Sequence, residues 1–124
     1  HFIKEIDSKI LIISHGKMIT NAINAFEINP IFSIFAMDRI KPLDNKKLME
    51  LFNKYEQIYV LEDNFRSGLF NSICQWSIES FSPHKNIYPI SPEEGYDDIL
   101  GNSDFLETLH GLSPEQIIKT IERT

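Results

Sequence analysis

The sequence predicts an α/β fold, a three-layer α/β/α sandwich built on a mostly parallel sheet of about five strands. Short apolar runs without polar alternation, typical of strands covered on both faces, recur along the chain. Segments with apolar residues at helical spacing lie between these runs, so strands and helices alternate. The 124 residues, 42% of them apolar, fit a single domain over residues 1–124. Since the chain begins with His1 rather than Met, we expect that domain to be excised from a longer protein.

The first part of the chain supplies an alternating segment, two buried strands and a helix. Residues 2–6 alternate weakly, and residues 9–13 form a β-branched apolar run that ends in Ser14-His15-Gly16. Apolar residues then recur at helical spacing over residues 17–26, and Asn29-Pro30 ends that helix. Residues 32–37 are the next buried strand.

A capped helix follows the second buried strand. Pro42 interrupts the chain, and Asp44 is placed as the N-cap of the helix. Leu43 and Leu48 have the spacing of a hydrophobic staple. The sequence predicts an apolar stripe on this helix, made of Leu48, Leu51, Phe52 and Tyr55.

The rest of the chain continues the alternation of strands and helices. Residues 57–61 and 86–90 are predicted strands, on either side of a helix over residues 69–80. We expect one face of that helix to carry its core residues, which are Phe70, Ile73, Cys74 and Ser77. A short helix over residues 103–110 precedes a last helix that opens with Ser113 as N-cap and Gln116 at the third position of a capping box.

Composition excludes several classes of function. Residues 1–87 carry ten acidic and ten basic residues, but residues 88–124 carry eight acidic and two basic ones. No basic stripe exists for nucleic acid, and no apolar run is long enough to span a membrane. The lone Cys74 suits a reducing cytoplasm and, in its apolar helical surroundings, buried packing rather than nucleophilic chemistry.

The motif search finds no complete catalytic, cofactor-binding or metal site. The glycine-rich phosphate signatures are absent, and the four histidines show no metal-ligand spacing with Cys74. A phospho-receiver domain needs an acidic cluster where Ser14-His15-Gly16 stands. The roles of two polar residues at strand ends stay open. His15 is a binding or proton-transfer residue or a hydrogen-bonded loop residue. Glu62 accepts backbone N–H groups or meets another domain, with a catalytic role as the alternative.

Several segments resemble the C-terminal domain of the transketolase family, of the transketolase, deoxyxylulose phosphate synthase or 2-oxo acid dehydrogenase beta-subunit type. Residues 38–44 read DRIKPLD and are similar to that family's D-x-R-x-x-K-P-L-D segment. LEDN at residues 61–64, followed by SGLFNS at 67–72, resembles its V-E-E-N and glycine-rich stretch. Further similarities in the same order lie at residues 12–18, 101–106 and 111–117.

The resemblance implies a domain without catalytic, cofactor-binding or metal residues of its own. It would pack on a pyrimidine-binding domain and support a homodimer, while thiamine diphosphate and Mg²⁺ serve the parent enzyme elsewhere. That parent would transfer a two-carbon or acyl unit from a keto donor to an aldehyde acceptor. The resemblance makes seven residues candidates for the interdomain surface, namely Asp38, Arg39, Pro42, Glu62, Asn64, Gly68 and His15.

The sequence departs from the family pattern in two places. Ser67 and Asn71 stand where the family prefers glycine, which leaves open whether that loop keeps an ion site, and residues 93–98 are unusually acidic. A non-enzymatic α/β module, with a small ligand near Ser14-His15-Gly16 and Asn64, is the alternative. The related domain of 2-oxo acid:ferredoxin oxidoreductases is a third possibility.

Overall fold

A computed structural model describes residues 1–37, 44–62, 68–80, 86–90 and 113–123. Its five strands form one sheet in the order β1-β3-β2-β4-β5. Their bounds are β1 Phe2–Lys4, β2 Ile10–Ser14, β3 Ser33–Ala36, β4 Gln57–Leu61 and β5 Asn86–Ile90. Strands β2 to β5 pair in parallel, while β1 pairs antiparallel with β3 at one edge. The predicted mostly parallel sheet is confirmed.

Four helices, counted over the described residues, cover the two faces of the sheet. They are α1 Met18–Ile28, α2 Asn45–Lys54, α3 Leu69–Ser80 and α4 Pro114–Arg123. Helices α2 and α3 contribute to one buried cluster, whereas α1 and α4 contribute to the other. This division gives the expected three layers. The connection from β2 to β3 moves across the sheet in one direction, and the connections from β3 to β4 and from β4 to β5 move in the other. Right-handed crossovers of opposite direction place their helices on opposite faces.

The strands are apolar throughout because successive side chains enter different layers. Leu11 and Ile13 of β2 face the α2–α3 layer, and Ile12 between them faces the α1–α4 layer. In β4, Val60 faces the α2–α3 layer and Tyr59 faces the α1–α4 layer. Burial on both faces therefore explains why these strands show no polar alternation.

The predicted helix caps at Asp44 and Ser113 are confirmed. The side chain of Asp44 accepts the backbone N–H of Lys47 at 3.1 Å, and Ser113 Oγ accepts that of Gln116 at 3.4 Å. Each bond satisfies a donor that the first helical turn cannot pair internally. Both caps are local features, within three residues of their partners.

The buried face of α3 matches the predicted one only in part, since Ile73 and Ser77 are buried as expected but Phe70 and Cys74 are not. Leu69, Ile73, Trp76 and Ser77 are buried, whereas Phe70 and Cys74 are only half-buried. The indole Nε1–H of Trp76 donates to Oδ1 of Asn45, which ties α3 to α2. This bond and the packing of Trp76 on Phe52 orient the helix so that Trp76 faces the core, while Phe70 and Cys74 lie at the edge of the buried face. Partial burial raises the pKa of the Cys74 thiol.

Two lysines of α2 cover aromatic rings beside the edge strand β1. Lys47 Nζ lies 5.4 Å from the ring centre of Phe2, and Lys54 Nζ lies 5.5 Å from the same ring. Lys54 also forms an ion pair with Glu5 at 2.6 Å, and this hydrogen bond raises the pKa of Lys54. The short strand β1 is therefore held against α2 by cation–π and ionic contacts.

Several predicted features lie outside the described residues. These are the leucine partners of both hydrophobic staples (Leu43 and Leu112), the helix at residues 103–110 and the acidic segment at 93–98. Within the described ranges, no helix is both long enough and apolar enough to cross a membrane. The cytoplasmic location and the single-domain boundary stay predictions.

Candidate functional site at the carboxyl edge of the sheet

The candidate site lies where the polypeptide leaves β2 and β4 at the carboxyl edge of the sheet. These strands are neighbours, with Ser14 opposite Leu61, but α1 and α3 that follow them belong to different layers. The chain therefore diverges to opposite faces of the sheet at this point. Open α/β sheets bind ligands or partners at such topological switch points.

The turn after β2 is attached to both neighbouring strands. Buried Ser14 donates its hydroxyl proton to the carbonyl oxygen of Leu61 on β4, at 2.9 Å. On the other side, Nδ1 of half-buried His15 lies 2.9 Å from the carbonyl oxygen of Met37, just past β3. These two contacts fix the position of the His15 side chain relative to the sheet edge.

Glu62 is the buried carboxylate of the site, with 3% of its surface exposed. Its Oε2 accepts the backbone N–H of Leu69 at 3.2 Å, at the first residue of α3. Its own N–H donates to the carbonyl oxygen of Ile90, the last residue of β5. Glu62 thus joins β4, β5 and the start of α3, and its negative charge lies where the helix dipole favours an anion.

Two glycines allow the turns at this edge. Gly16 has φ of 68° and Gly68 has φ of 77°, a left-handed conformation that residues with a Cβ adopt only at a cost. A Cβ added to either glycine would meet no atom within 4 Å. The backbone conformation, rather than lack of space, is therefore what requires glycine at both turns.

Three of the seven candidate interdomain residues lie at this edge, and four lie outside the described residues. His15, Glu62 and Gly68 follow the neighbouring strands β2 and β4, while Asp38, Arg39, Pro42 and Asn64 are among the residues not described. Of the alternatives left open for Glu62, the structure shows acceptance of one backbone N–H, that of Leu69. Whether the edge meets another domain stays a prediction.

The chemistry available at the described part of the edge is that of hydrogen bonding. Among the described residues, no group of three or more His, Cys, Asp or Glu side chains could hold a metal ion. Ser14 is engaged with Leu61, so its hydroxyl acts as a donor within the sheet. The sequence interpretation missed the carbonyl of Met37, because a backbone group carries no residue-type signal.

Comparisons with known proteins agree on one class of relative. No protein-family model matches the chain. The 1-deoxy-D-xylulose-5-phosphate synthase of Alkaliphilus oremlandii is 29% identical over 118 residues, or 92% of this chain. The enzyme of the same name from Dictyoglomus thermophilum is 29% identical over 119 residues, or 90% of this chain. The chain spans only 19% of the length of each relative.

A solved structure shares the fold. A chain described as a split-gene transketolase, in an inactive beta4 tetramer, matches 99% of this chain with a TM-score of 0.81 and 17% sequence identity. The match covers 41% of that chain. The described three-layer architecture therefore occurs as part of a larger polypeptide in that protein.

Proposed function

We propose that this chain, whose resemblance to the C-terminal domain of the transketolase family is confirmed by sequence and by fold, acts as a docking and assembly domain. It packs on the pyrimidine-binding domain of a thiamine diphosphate-dependent enzyme and supports formation of the dimer. The domain performs no chemistry alone.

The observation that best supports this proposal is that each match covers nearly all of this chain but less than half of the other protein. The match to the split-gene transketolase extends over 99% of this chain but 41% of the other, and the synthases are about five times longer than the matched region, which is 19% of their length. In each relative, a region like this one is accompanied by a larger part of the enzyme. A role beside catalytic domains follows more directly from this than a role as an independent module.

The bonding at the carboxyl edge supports a structural role. Ser14 and Glu62, the buried polar residues there, bond to the backbone of β4 and α3 respectively. A catalytic acid or nucleophile needs access to a substrate, whereas these groups hold strands and a helix together. The described edge therefore has the character of a rigid platform.

The parent enzyme is proposed to transfer a two-carbon or acyl unit, as the names transketolase and deoxyxylulose phosphate synthase suggest for the relatives. Thiamine diphosphate and Mg²⁺ would supply a carbanion-stabilising group in the parent. The described residues do not fit a metal-diphosphate site, since they lack a cluster of metal-ligating side chains. No step of that chemistry is assigned to them.

Two experiments test the proposal. Isothermal titration of the chain with thiamine diphosphate and Mg²⁺ should give no heat of binding, and micromolar affinity would contradict the proposal. In the second, the chain replaces the matched 118 residues of the A. oremlandii synthase. The chimera should assemble as the parent synthase does and bind thiamine diphosphate, whereas a chimera with an undocked graft would refute the docking role.

A further inference from the structure

The fold fixes which nitrogen of His15 carries the proton. Nδ1 lies 2.9 Å from the carbonyl oxygen of Met37, and a carbonyl oxygen only accepts hydrogen bonds. Nδ1 must therefore be the donor. In the neutral ring, Nε2 is then unprotonated and presents a lone pair.

Among the described residues, none forms a hydrogen bond with Nε2 of His15. Met37 is the hydrogen-bond partner of His15 among the described residues, and the side chain is half-buried rather than enclosed. The imidazole is therefore anchored through Nδ1 and only partly enclosed at the switch point.

We infer that His15 is a binding residue of this edge, whose Nε2 accepts a hydrogen bond from a hydroxyl, amide or ammonium group of the docked catalytic part of the parent enzyme. The inference rests on the proposed docking function and names one contact within it. The bond to Met37 serves as the orienting contact, as backbone carbonyls do for many functional histidines.

Nitrogen-15 NMR of the labelled chain tests the tautomer directly. Long-range proton–nitrogen spectra of neutral His15 should show a protonated Nδ1 and an unprotonated Nε2. A spectrum in which Nε2 carries the proton would overturn the inference, whatever the outcome for docking.

The chimera with the A. oremlandii synthase tests the contact. Carbethoxylation of His15 by diethyl pyrocarbonate, followed by peptide mass spectrometry, should be at least about tenfold slower in the chimera than in the free chain. Equal rates in a chimera whose domain junction resists proteolysis would overturn the role of His15 and leave the docking function standing. Equal rates together with a protease-sensitive junction would refute the docking function itself.

Two substitutions separate the anchor from the acceptor. In His15→Asn the side-chain amide nitrogen can replace Nδ1 and keep the bond to Met37, but no group replaces Nε2. In His15→Gln the longer amide reaches the Nε2 position and can still accept. Junction cleavage reports the undocked population, and it should rise about 2- to 12-fold in His15→Asn, as expected for one lost hydrogen bond, and by less in His15→Gln. Cleavage of His15→Asn at the wild-type rate would contradict the inference.

Discussion

Replacement of Glu62 by alanine should destabilise the domain by far more than replacement of an exposed glutamate. The Glu62 side chain is almost fully buried and accepts the N–H of Leu69. Alanine leaves that donor without its carboxylate partner, which costs about 1–3 kcal/mol when the group is buried. Loss of the charge at the start of α3 adds about 0.3–1 kcal/mol. The expected loss in free energy of unfolding is therefore about 1.5–4 kcal/mol.

Urea unfolding followed by the fluorescence of Trp76 measures this loss. With a slope of about 1–3 kcal/mol per molar urea for a small domain, the midpoint should fall by roughly 0.5–4 M. Glu56→Ala is the matched control, since Glu56 is exposed at the turn between α2 and β4 and should change stability by no more than about 0.5 kcal/mol. The urea midpoint of Glu62→Gln, which keeps an acceptor oxygen, should lie between those of Glu62→Ala and Glu56→Ala.

Equal midpoints for Glu62→Ala and Glu56→Ala would refute the reasoning. That result would mean that water or another part of the chain satisfies the Leu69 N–H as well as the carboxylate does. A Glu62→Gln variant as unstable as Glu62→Ala would instead show that charge, rather than the acceptor oxygen, supplies the stabilisation.

Three further predictions concern other contacts. Asp44→Ala should lower the free energy of unfolding by about 0.5–2 kcal/mol because α2 loses its N-cap; Asp44→Asn, which keeps an acceptor, should restore most of it in thermal melts. Tyr55→Phe should change the free energy of unfolding by less than about 1 kcal/mol in urea unfolding, since the buried Tyr55 hydroxyl has no well-formed hydrogen bond among the described residues and the neighbouring Lys54 ammonium is exposed to solvent; a larger loss would contradict this. Glu5→Gln should lower the pKa of Lys54 towards its ordinary value in an NMR titration, because the bond to Glu5 is what raises it. A raised pKa stabilises the fold below the unfolded-state pKa, and that contribution disappears as pH rises through the folded-state pKa; an unchanged Lys54 pKa would refute the assignment.

The fold was predictable because its signals are local. The continuous apolar character of β2 and β4 indicates strands covered on both faces, and the structure has them at the centre of the sheet. Asp44 and Ser113 each cap a backbone group only three residues away. Such contacts depend on short stretches of sequence, which is why pattern and residue type suffice.

The face of α3 was not predictable in the same way. Its sequence, LFNSICQWSIES, offers apolar residues on more than one side, so helical spacing alone admits two buried faces. The bond from Trp76 to Asn45 on α2 selects one of them, and that contact joins residues 31 positions apart. Tertiary packing therefore determines which face of α3 is buried, a choice that the helical periodicity of its sequence does not make.

The candidate site was predictable in position but not in bonding. Parallel strands bring their carboxyl ends to one edge, and the sequence analysis put His15 and Glu62 each at the end of a buried strand and among the interdomain candidates. The acceptor for His15 is a backbone carbonyl 22 residues away, and the donor to Glu62 is a backbone N–H seven residues away. Backbone groups are the same at every position, so a sequence cannot indicate which of them will serve.

The edge strand β1 has a consequence for how the protein associates. It is three residues long, and its pairing with β3 shifts register between Phe2 and Lys4. A strand so short and irregular is a poor template for another extended chain. Growth of the sheet on that side by intermolecular β-pairing, the route to fibrillar aggregation, is therefore disfavoured.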